Sequence, residues 1–335
     1  MSLSSKNLLI TGASGFIGSN FLKIMLPKYP KTNFINLDSL TYASNSDNTS
    51  DFINYDNYFF HKADINDTSF VSKLFRDHKI DSVINFAAES HVDNSITNPG
   101  LFIKTNILGT HNLLQISYKN WMNGPFDLKP DFKNAKFLQV STDEVYGSID
   151  NRCFTESSPY SPNSPYSASK ASADLIVKSY HNTYGLKTLI TLSSNNYGPG
   201  QHKEKFIPTI INSLVKDIDI PIYGNGKNVR DWIYVDDNCR AIELVFKKGV
   251  VGESYNIGVN NELTNLDLVK KIFNVYNSRN KNSQNELKIK FVDDRFGHDF
   301  RYSLNNSKIK NLGWNYVDQS DNHLLKLIDY YSIRL

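Results

Sequence analysis

Residues 11–18, Thr-Gly-Ala-Ser-Gly-Phe-Ile-Gly, set three glycines, Gly12, Gly15 and Gly18, directly after an apolar run at 7–11. Apolar Ile17, Phe21, Ile24 and Met25 follow at helical spacing. A strand that turns through small residues into a helix leaves few architectures open. The glycines let backbone approach a phosphate, and the helix start offers unpaired N–H groups with about half a positive charge. Asp38 closes a second apolar run 20 residues beyond Gly18. A carboxylate there accepts hydrogen bonds from both ribose hydroxyls of an adenosine, and a 2′-phosphate would meet like charge. Turn, helix and Asp38 together predict a dinucleotide site that takes NAD.

Apolar, β-branched runs at 7–11, 33–38, 58–62, 82–86, 136–141 and 188–191 alternate with helical patterns. That alternation predicts an α/β fold, a doubly wound Rossmann-type parallel sheet with its ligands at the carboxyl edge. Asp64, closing the third run, is placed either to hydrogen-bond an adenine amino group or to make a turn. Ala87 and Ala88 are small enough for a cofactor to cross the sheet edge, and equally suit close packing. From Ser193 onward the texture changes to Gly/Pro/Asn-rich loops such as NNYGPGQ and IPIYGNGKN, with helical stretches at 205–217 and 266–276. A smaller substrate-binding domain follows. The stretch 231–246 reads as strand plus helix returning to the first domain. The expected division is 1–191 with 229–251 for the NAD domain, and 192–228 with 252–335 for the smaller one.

At roughly 150 residues per domain, a 335-residue chain forms about two domains without needing staples. Thirty-seven basic and 34 acidic residues, spread without blocks, leave a charge of +3 and no nucleic-acid footprint. Only Cys153 and Cys239 occur, too few and too far apart for a structural metal or a disulfide framework. With no run of 18 apolar residues and no leader-like start, the reading is a cytoplasmic protein away from membranes.

Tyr166 and Lys170 stand four apart in SPYSASKASADLIV, a helix beginning near Pro165, so their Cβ atoms lie about 5–6 Å apart on one face. Bringing a tyrosine from about 10 to near neutrality costs about 4 kcal/mol, which an ammonium and a cationic nicotinamide could supply together. The phenolate would take a proton from a substrate hydroxyl as hydride leaves its carbon. The run at 136–141 leads into Thr142-Asp143-Glu144, a hydroxyl and two carboxyls at the ligand edge. The hydroxyl suffices for dehydrogenation; two carboxyls add proton chemistry, one donating and one accepting. Adjacent strand residues face opposite ways, so both reach one substrate only if the chain leaves β geometry there. On the residues alone, Arg230 and Arg295 read as surface charges and His298 as a loop histidine.

The segments TGASGFIG, LDSLTYAS, AAESHVDNSI, STDEVYG, SPYSASKASAD, SNNYGP, EKFIP, IPIYGNGKNVRDWIYVDD, YNIG and DRFGHDFRY occur in one order that resembles the extended short-chain dehydrogenase/reductases. Within them the chain is similar to nucleotide-sugar 4,6-dehydratases of the dTDP-glucose type. The resemblance implies Thr142, Asp143, Glu144, Tyr166 and Lys170 as catalytic groups. It implies that Gly12, Gly15, Phe16, Ile17, Gly18, Asp38, Asp64, Ile65, Ala87, Ala88, Thr105 and Asn196 hold NAD with Tyr166 and Lys170. It further implies that Ser90, Thr142, Asn195, Lys205, Phe206, Pro221, Tyr223, Arg230, Arg295 and His298 hold the nucleotide diphosphate glucose. A homodimer through 99–118 and 165–184 is also implied, and no metal. Leu192-Ser193, Asn94 and 200–203 depart from the pattern, which leaves dTDP-glucose and UDP-glucose both open. The alternatives are a nucleotide-sugar 4-epimerase, which needs the Tyr/Lys pair without the carboxyls, and a non-catalytic NAD-binding protein of the same fold.

Overall fold

Alternate residues of the strand Asn7–Thr11 serve two different cores. Leu8 and Ile10 join one apolar cluster with Phe21, Leu22 and Met25, whereas Leu9 joins another with Val71, Leu113 and Val177. A strand buried on both faces requires helices on both, which is the doubly wound arrangement. The computed structural model describes residues 3–279 and 286–333. Its main sheet has seven strands, in spatial order Ser254–Ile257, Thr188–Ser193, Phe137–Thr142, Ser82–Asn85, Asn7–Thr11, Asn33–Asp38 and Tyr58–Lys62. Every pairing between neighbours is parallel. Strand order reverses between Asn7–Thr11 and Ser82–Asn85, so a crevice opens at their carboxyl ends.

All six sequence-read strands are present, with small changes at the ends. The run 82–86 stops at Asn85, 136–141 shifts to Phe137–Thr142, and 188–191 extends to Ser193. The seventh strand, Ser254–Ile257, belongs to the main sheet although the sequence division assigns 252–335 to the smaller domain. Its four residues are too few to carry a period. The stretch 231–246 splits. Its strand, Val229–Tyr234, pairs with Asn195–Tyr197 and Glu262–Thr264 in a separate three-stranded sheet. Its helix, Val235–Lys248, returns Val235, Cys239, Ile242 and Phe246 to the core of the main sheet.

A third cluster, including Ile207, Ile210, Ile211, Ile222, Trp232, Leu268 and Leu324, closes the C-terminal part around the helices Phe206–Lys216, Asn265–Arg279 and Ser320–Ser332. Both cysteines are free. Among the described residues, no helix is long and apolar enough to cross a membrane.

Candidate active site

A cleft runs along the reversal point of the sheet. Gly12, Gly15, Phe16, Ile17, Gly18, Asp38, Asp64, Ile65, Ala87, Ala88, Thr105, Tyr166 and Lys170 line it, with Ser90 and Lys205 from the substrate set. Asn196 stands beside Asn195 on the strand Asn195–Tyr197, so the two side chains leave opposite faces, and the Asn196 carbonyl accepts the side-chain amide of Gln201, a residue of the cleft wall, at 2.9 Å. Gly12 has φ +69°, and a Cβ there would fall 2.6 Å from the Cα of Ala87. The turn after the first strand therefore touches the segment after the fourth. The helix Phe16–Lys28 starts at Gly15 with no side-chain cap and no acid in its first turn. A crowded glycine turn and uncapped amides fit the pyrophosphate of NAD.

Asp38 is 5% exposed. Its carboxylate accepts hydrogen bonds from the Ser14 N–H at 2.9 Å, the Leu40 N–H at 2.8 Å and the Ser44 hydroxyl at 2.8 Å. Three of about four acceptor positions are taken, so a ribose must share this carboxylate with the loop it organises. Asp64 makes the turn that one of its two readings foresees, at the wall of the cleft. Its Oδ1 accepts from the backbone N–H and side-chain amide of Asn66 at 2.9 and 3.0 Å.

The helix Pro165–Tyr184 begins with a Ser164/Ser167 capping box and Pro in its first turn, and ends at Gly185 in the left-handed region. These signals fix the register that buries Tyr166 and Lys170. Lys170 Nζ donates to the Val140 carbonyl at 2.7 Å, and the Thr142 hydroxyl lies near enough to the Tyr166 phenol to favour its ionised form. The sequence predicts a phenol pulled towards neutrality; the protein by itself does the reverse. Burial, then the charges of Glu144 and Asp143, push Tyr166 above its ordinary value, and burial pushes Lys170 down. Two carboxylates and a dry site outweigh one ammonium, so the lowering has to come from what enters the cleft.

At Thr142 the strand gives way to a 3-10 turn, Asp143–Tyr146, capped by the Thr142 hydroxyl, which accepts the Glu144 N–H at 3.3 Å. The chain thus leaves β geometry where the two carboxyls stand, as their reaching one substrate requires. Asp143 is 2% exposed, and its Oδ2 has no hydrogen-bond partner. Burial and then the Glu144 charge raise Asp143 well above the carboxylate range. Glu144 is also raised by burial, but Arg295, Arg230 and Lys205 oppose it. Burial favours the protonated form of Asp143, while three cations oppose the same push at its neighbour.

Those cations come from the smaller C-terminal part. Arg230 is 5% exposed and no surface charge. Its Nη atoms donate to the carbonyls of Val229, Phe300 and Asp299 at 2.7–3.1 Å. Arg295 Nη1 lies 3.8 Å from Asp93 Oδ1, and its Nε has no hydrogen-bond partner. Lys205 Nζ donates to the Ser90 carbonyl at 3.0 Å. His298 is no free loop residue, since Nδ1 lies 2.6 Å from Asp294 Oδ1 and burial pushes its pKa down. Pro221 and Tyr223 share the exposed face of the strand Ile220–Tyr223, and Phe206 opens the following part of this shell on the helix Phe206–Lys216.

The model of the GDP-mannose 4,6 dehydratase family matches residues 9–322. The dTDP-glucose 4,6-dehydratase of Xanthomonas campestris pv. campestris is 44% identical over 328 residues, covering 96% of this chain and 92% of its own length. The chain belongs to the 4,6-dehydratase family. The structure of DesIV, the dTDP-glucose 4,6-dehydratase of Streptomyces venezuelae solved with NAD bound, superimposes with a TM-score of 0.87 at 41% identity, covering 97% of this chain and 96% of that one. UDP-glucose 4-epimerase of Thermotoga maritima shares the fold at a TM-score of 0.84 but only 27% identity, over 98% and 99% of the two chains.

Three polar groups of this dehydratase escape sequence reading. Asn106 accepts the Glu89 N–H at 2.9 Å and donates to the Glu89 carbonyl and Ser169 hydroxyl, tying the loop after the fourth strand to the catalytic helix. It sits in a π-helical turn, Ile103–Gly109, inside the expected helix 99–118, and no glycine or proline pattern announces that turn. Tyr42 lines the cleft, with Asn94 and Glu89 near its hydroxyl. Asp174 was findable, because it repeats the four-residue step from Tyr166 and Lys170.

Proposed function

We propose that the chain dehydrates a nucleoside-diphosphate glucose, dTDP-glucose or UDP-glucose, to the 4-keto-6-deoxy sugar and water. The observation that carries this reading is the turn at Asp143–Tyr146, which sets the buried Asp143 and the half-buried Glu144 carboxyls in unlike electrostatic surroundings near Thr142 and Tyr166. NAD, when bound, supplies the oxidant that accepts hydride from C4 and returns it to C6. Tyr166 takes the proton of the C4 hydroxyl, with Thr142 hydrogen-bonded at that oxygen. The C4 ketone acidifies C5, whose proton Glu144 removes and later gives back. Asp143 protonates the C6 hydroxyl, which leaves as water. Over a cycle the proton gained by Tyr166 replaces the one given by Asp143, so the enzyme returns to its starting state. Lys170 holds the nicotinamide ribose. Arg230, Arg295 and Lys205 suit the diphosphate.

Of the residues that depart from the dTDP-type pattern, Leu192-Ser193, Asn94 and 200–203, Gln201 and His202 line the cleft, and both bases are carried. The larger unit holds the cofactor and the smaller one the nucleotide. A homodimer is part of the same reading; exposed Ile103, Leu108 and Leu175 on the helical faces at 103–109 and 165–184 support it. So is a reducing, cytoplasm-like setting, supported by the two free cysteines.

The test uses glucose deuterated at C4 on each nucleotide. The expected product carries that deuterium at C6 and a solvent proton at C5, with no net reduction of cofactor. Label returned to C4 with inverted configuration would establish a 4-epimerase. Absence of turnover with any hexose nucleotide would leave a non-catalytic NAD-binding protein.

A further inference from the structure

Asp174 lies one helical turn beyond Lys170, as Lys170 lies one turn beyond Tyr166, in the helix Pro165–Tyr184. Its exposure is 0%, and the steps above give it no part. A carboxylate is not kept in a dry interior without compensation. Its Oδ2 accepts hydrogen bonds from the Ser141 hydroxyl at 2.6 Å and the Tyr160 hydroxyl at 3.4 Å, while Oδ1 has no hydrogen-bond partner. The charges beside it are Lys170 and Lys178, the second standing 4.7 Å over the Tyr160 ring. Tyr146 and Tyr166 complete the titratable groups around it. Ser141 and Thr142 are adjacent at one strand end. Ser141 holds Asp174 from the strand end on which Thr142 stands near Tyr166, so one strand end faces both extremes of the Tyr166, Lys170, Asp174 row.

We propose that Asp174 is a positioning residue for the reaction, acting through Lys170 by keeping that buried side chain an ammonium beside Tyr166. This rests on the dehydratase reading of Tyr166 and Lys170. Lys170 is 4% exposed, and it donates a hydrogen bond to the neutral Val140 carbonyl. Burial favours the neutral amine, and the carboxylate of Asp174 opposes it. A neutral Lys170 would lose the positive charge that eases removal of the phenol proton. Asp174 also disfavours the tyrosinate directly, but it stands one turn from Lys170 and two from Tyr166, so its effect through the ammonium prevails. Asp174 is itself close to titration: burial pushes it up to about 6 against the pull of Lys170 and the Ser141 hydrogen bond. Below that pH it takes a proton and Lys170 loses its counter-charge.

Asp174→Asn, Asp174→Glu and Ser141→Ala, each in the full chain, test the assignment. The first readout needs no substrate. Lys170 is titrated by NMR in protein carrying isotope-labelled lysine, its signal identified by loss in Lys170→Arg. Asp174→Asn should move the Lys170 midpoint down by about one pH unit or more, the size of effect a buried counter-charge produces, and Asp174→Glu should restore it. The second readout is the pH profile of turnover. Asp174→Asn should lower kcat about tenfold or more at unchanged substrate KM, as loss of proton-transfer support does, with the alkaline limb displaced to lower pH. Ser141→Ala removes a bond to the ionised carboxylate and should move the acid limb to higher pH, which keeps the test open if the Asn variant fails to fold. An unshifted Lys170 midpoint, or reduced kcat with a profile of unchanged shape, would overturn the proposal. Turnover by the unaltered enzyme in the same assay checks the dehydratase reading separately; if it fails, the Lys170 titration still decides Asp174.

Discussion

The guanidinium of Arg230 lies 4.4 Å from the centroid of the Tyr302 ring, while its nitrogens bind three backbone carbonyls. Tyr302 in turn donates its hydroxyl to Asp299 at 2.7 Å. One side chain thus ties the strand Val229–Tyr234 to the loop at 299–302 and points positive charge at Asp143 and Glu144. Lysine keeps the charge but has neither the planar fork nor the stacking face. Arg230→Lys should therefore lower kcat/KM about a hundredfold, equivalent to about 2.7 kcal/mol, with most of the loss in kcat. Steady-state kinetics with the preferred nucleotide sugar checks this; retention of wild-type kcat would mean that Arg230 serves only to hold the loop.

Glu144 and Asp143 should fail at different points. Glu144→Gln leaves the Tyr166 and Lys170 pair in place, so C4 oxidation proceeds while removal of the C5 proton stops. Rapid mixing with substrate should show reduced cofactor accumulating on the enzyme, with deuterium exchange at C5 abolished. In Asp143→Asn the base is intact, so C5 exchange should persist while loss of the C6 hydroxyl slows by about 10²–10⁴-fold, the usual worth of a placed proton donor. Identical behaviour of the two variants would contradict the division of roles.

Much of this site was readable because its residues sit at positions with local grammar. Gly12, Gly15 and Gly18 stand at a strand-to-helix turn. Tyr166 and Lys170 share one helix face between a capping box and a terminal glycine. What stayed hidden depends on distant pairing. Whether Arg230 is buried is decided by the loop at 299–302, about 70 residues further on. The upward push on Tyr166 arises from burial and then from Glu144 and Asp143, brought near by the sheet and unseen in the local run SPYSASK. The fold divides likewise. The long strand–helix alternation was plain, but Ser254–Ile257 joins the main sheet only through its register with Ile190–Ser193.

Asp143 also makes the free protein pH-sensitive. Its folded-state pKa is raised above the value in an unfolded chain, so the stabilisation linked to its proton is fully present below the unfolded pKa and is lost as pH rises through the folded one. Asparagine keeps the shape and the hydrogen-bonding capacity without the charge. Asp143→Asn should raise the melting temperature of the cofactor-free protein, by more at mildly alkaline than at mildly acidic pH, even as activity falls. An equal change in Tm at both pH values would show that burying this carboxyl carries no electrostatic cost.

Gly12 and Gly15 occupy the same cradle under different constraints. At Gly12 a side chain meets both a positive φ and the Ala87 backbone at 2.6 Å; at Gly15 the nearest atom to an added Cβ is the Gly12 carbonyl oxygen at 3.2 Å, with ordinary φ. The left-handed backbone alone costs a non-glycine residue about 1–2 kcal/mol. The contact with Ala87 adds to this, because backbone on a central strand end has nowhere to go. Gly12→Ala should therefore reduce stability and NAD affinity together. Gly15→Ala, with an ordinary φ and one tight contact, should lower Tm by less than Gly12→Ala while still weakening NAD binding, because its added methyl crowds the phosphate cradle. Thermal melts with and without NAD separate the two effects, and equal destabilisation by both alanines would remove the distinction between a structural and a ligand-facing glycine.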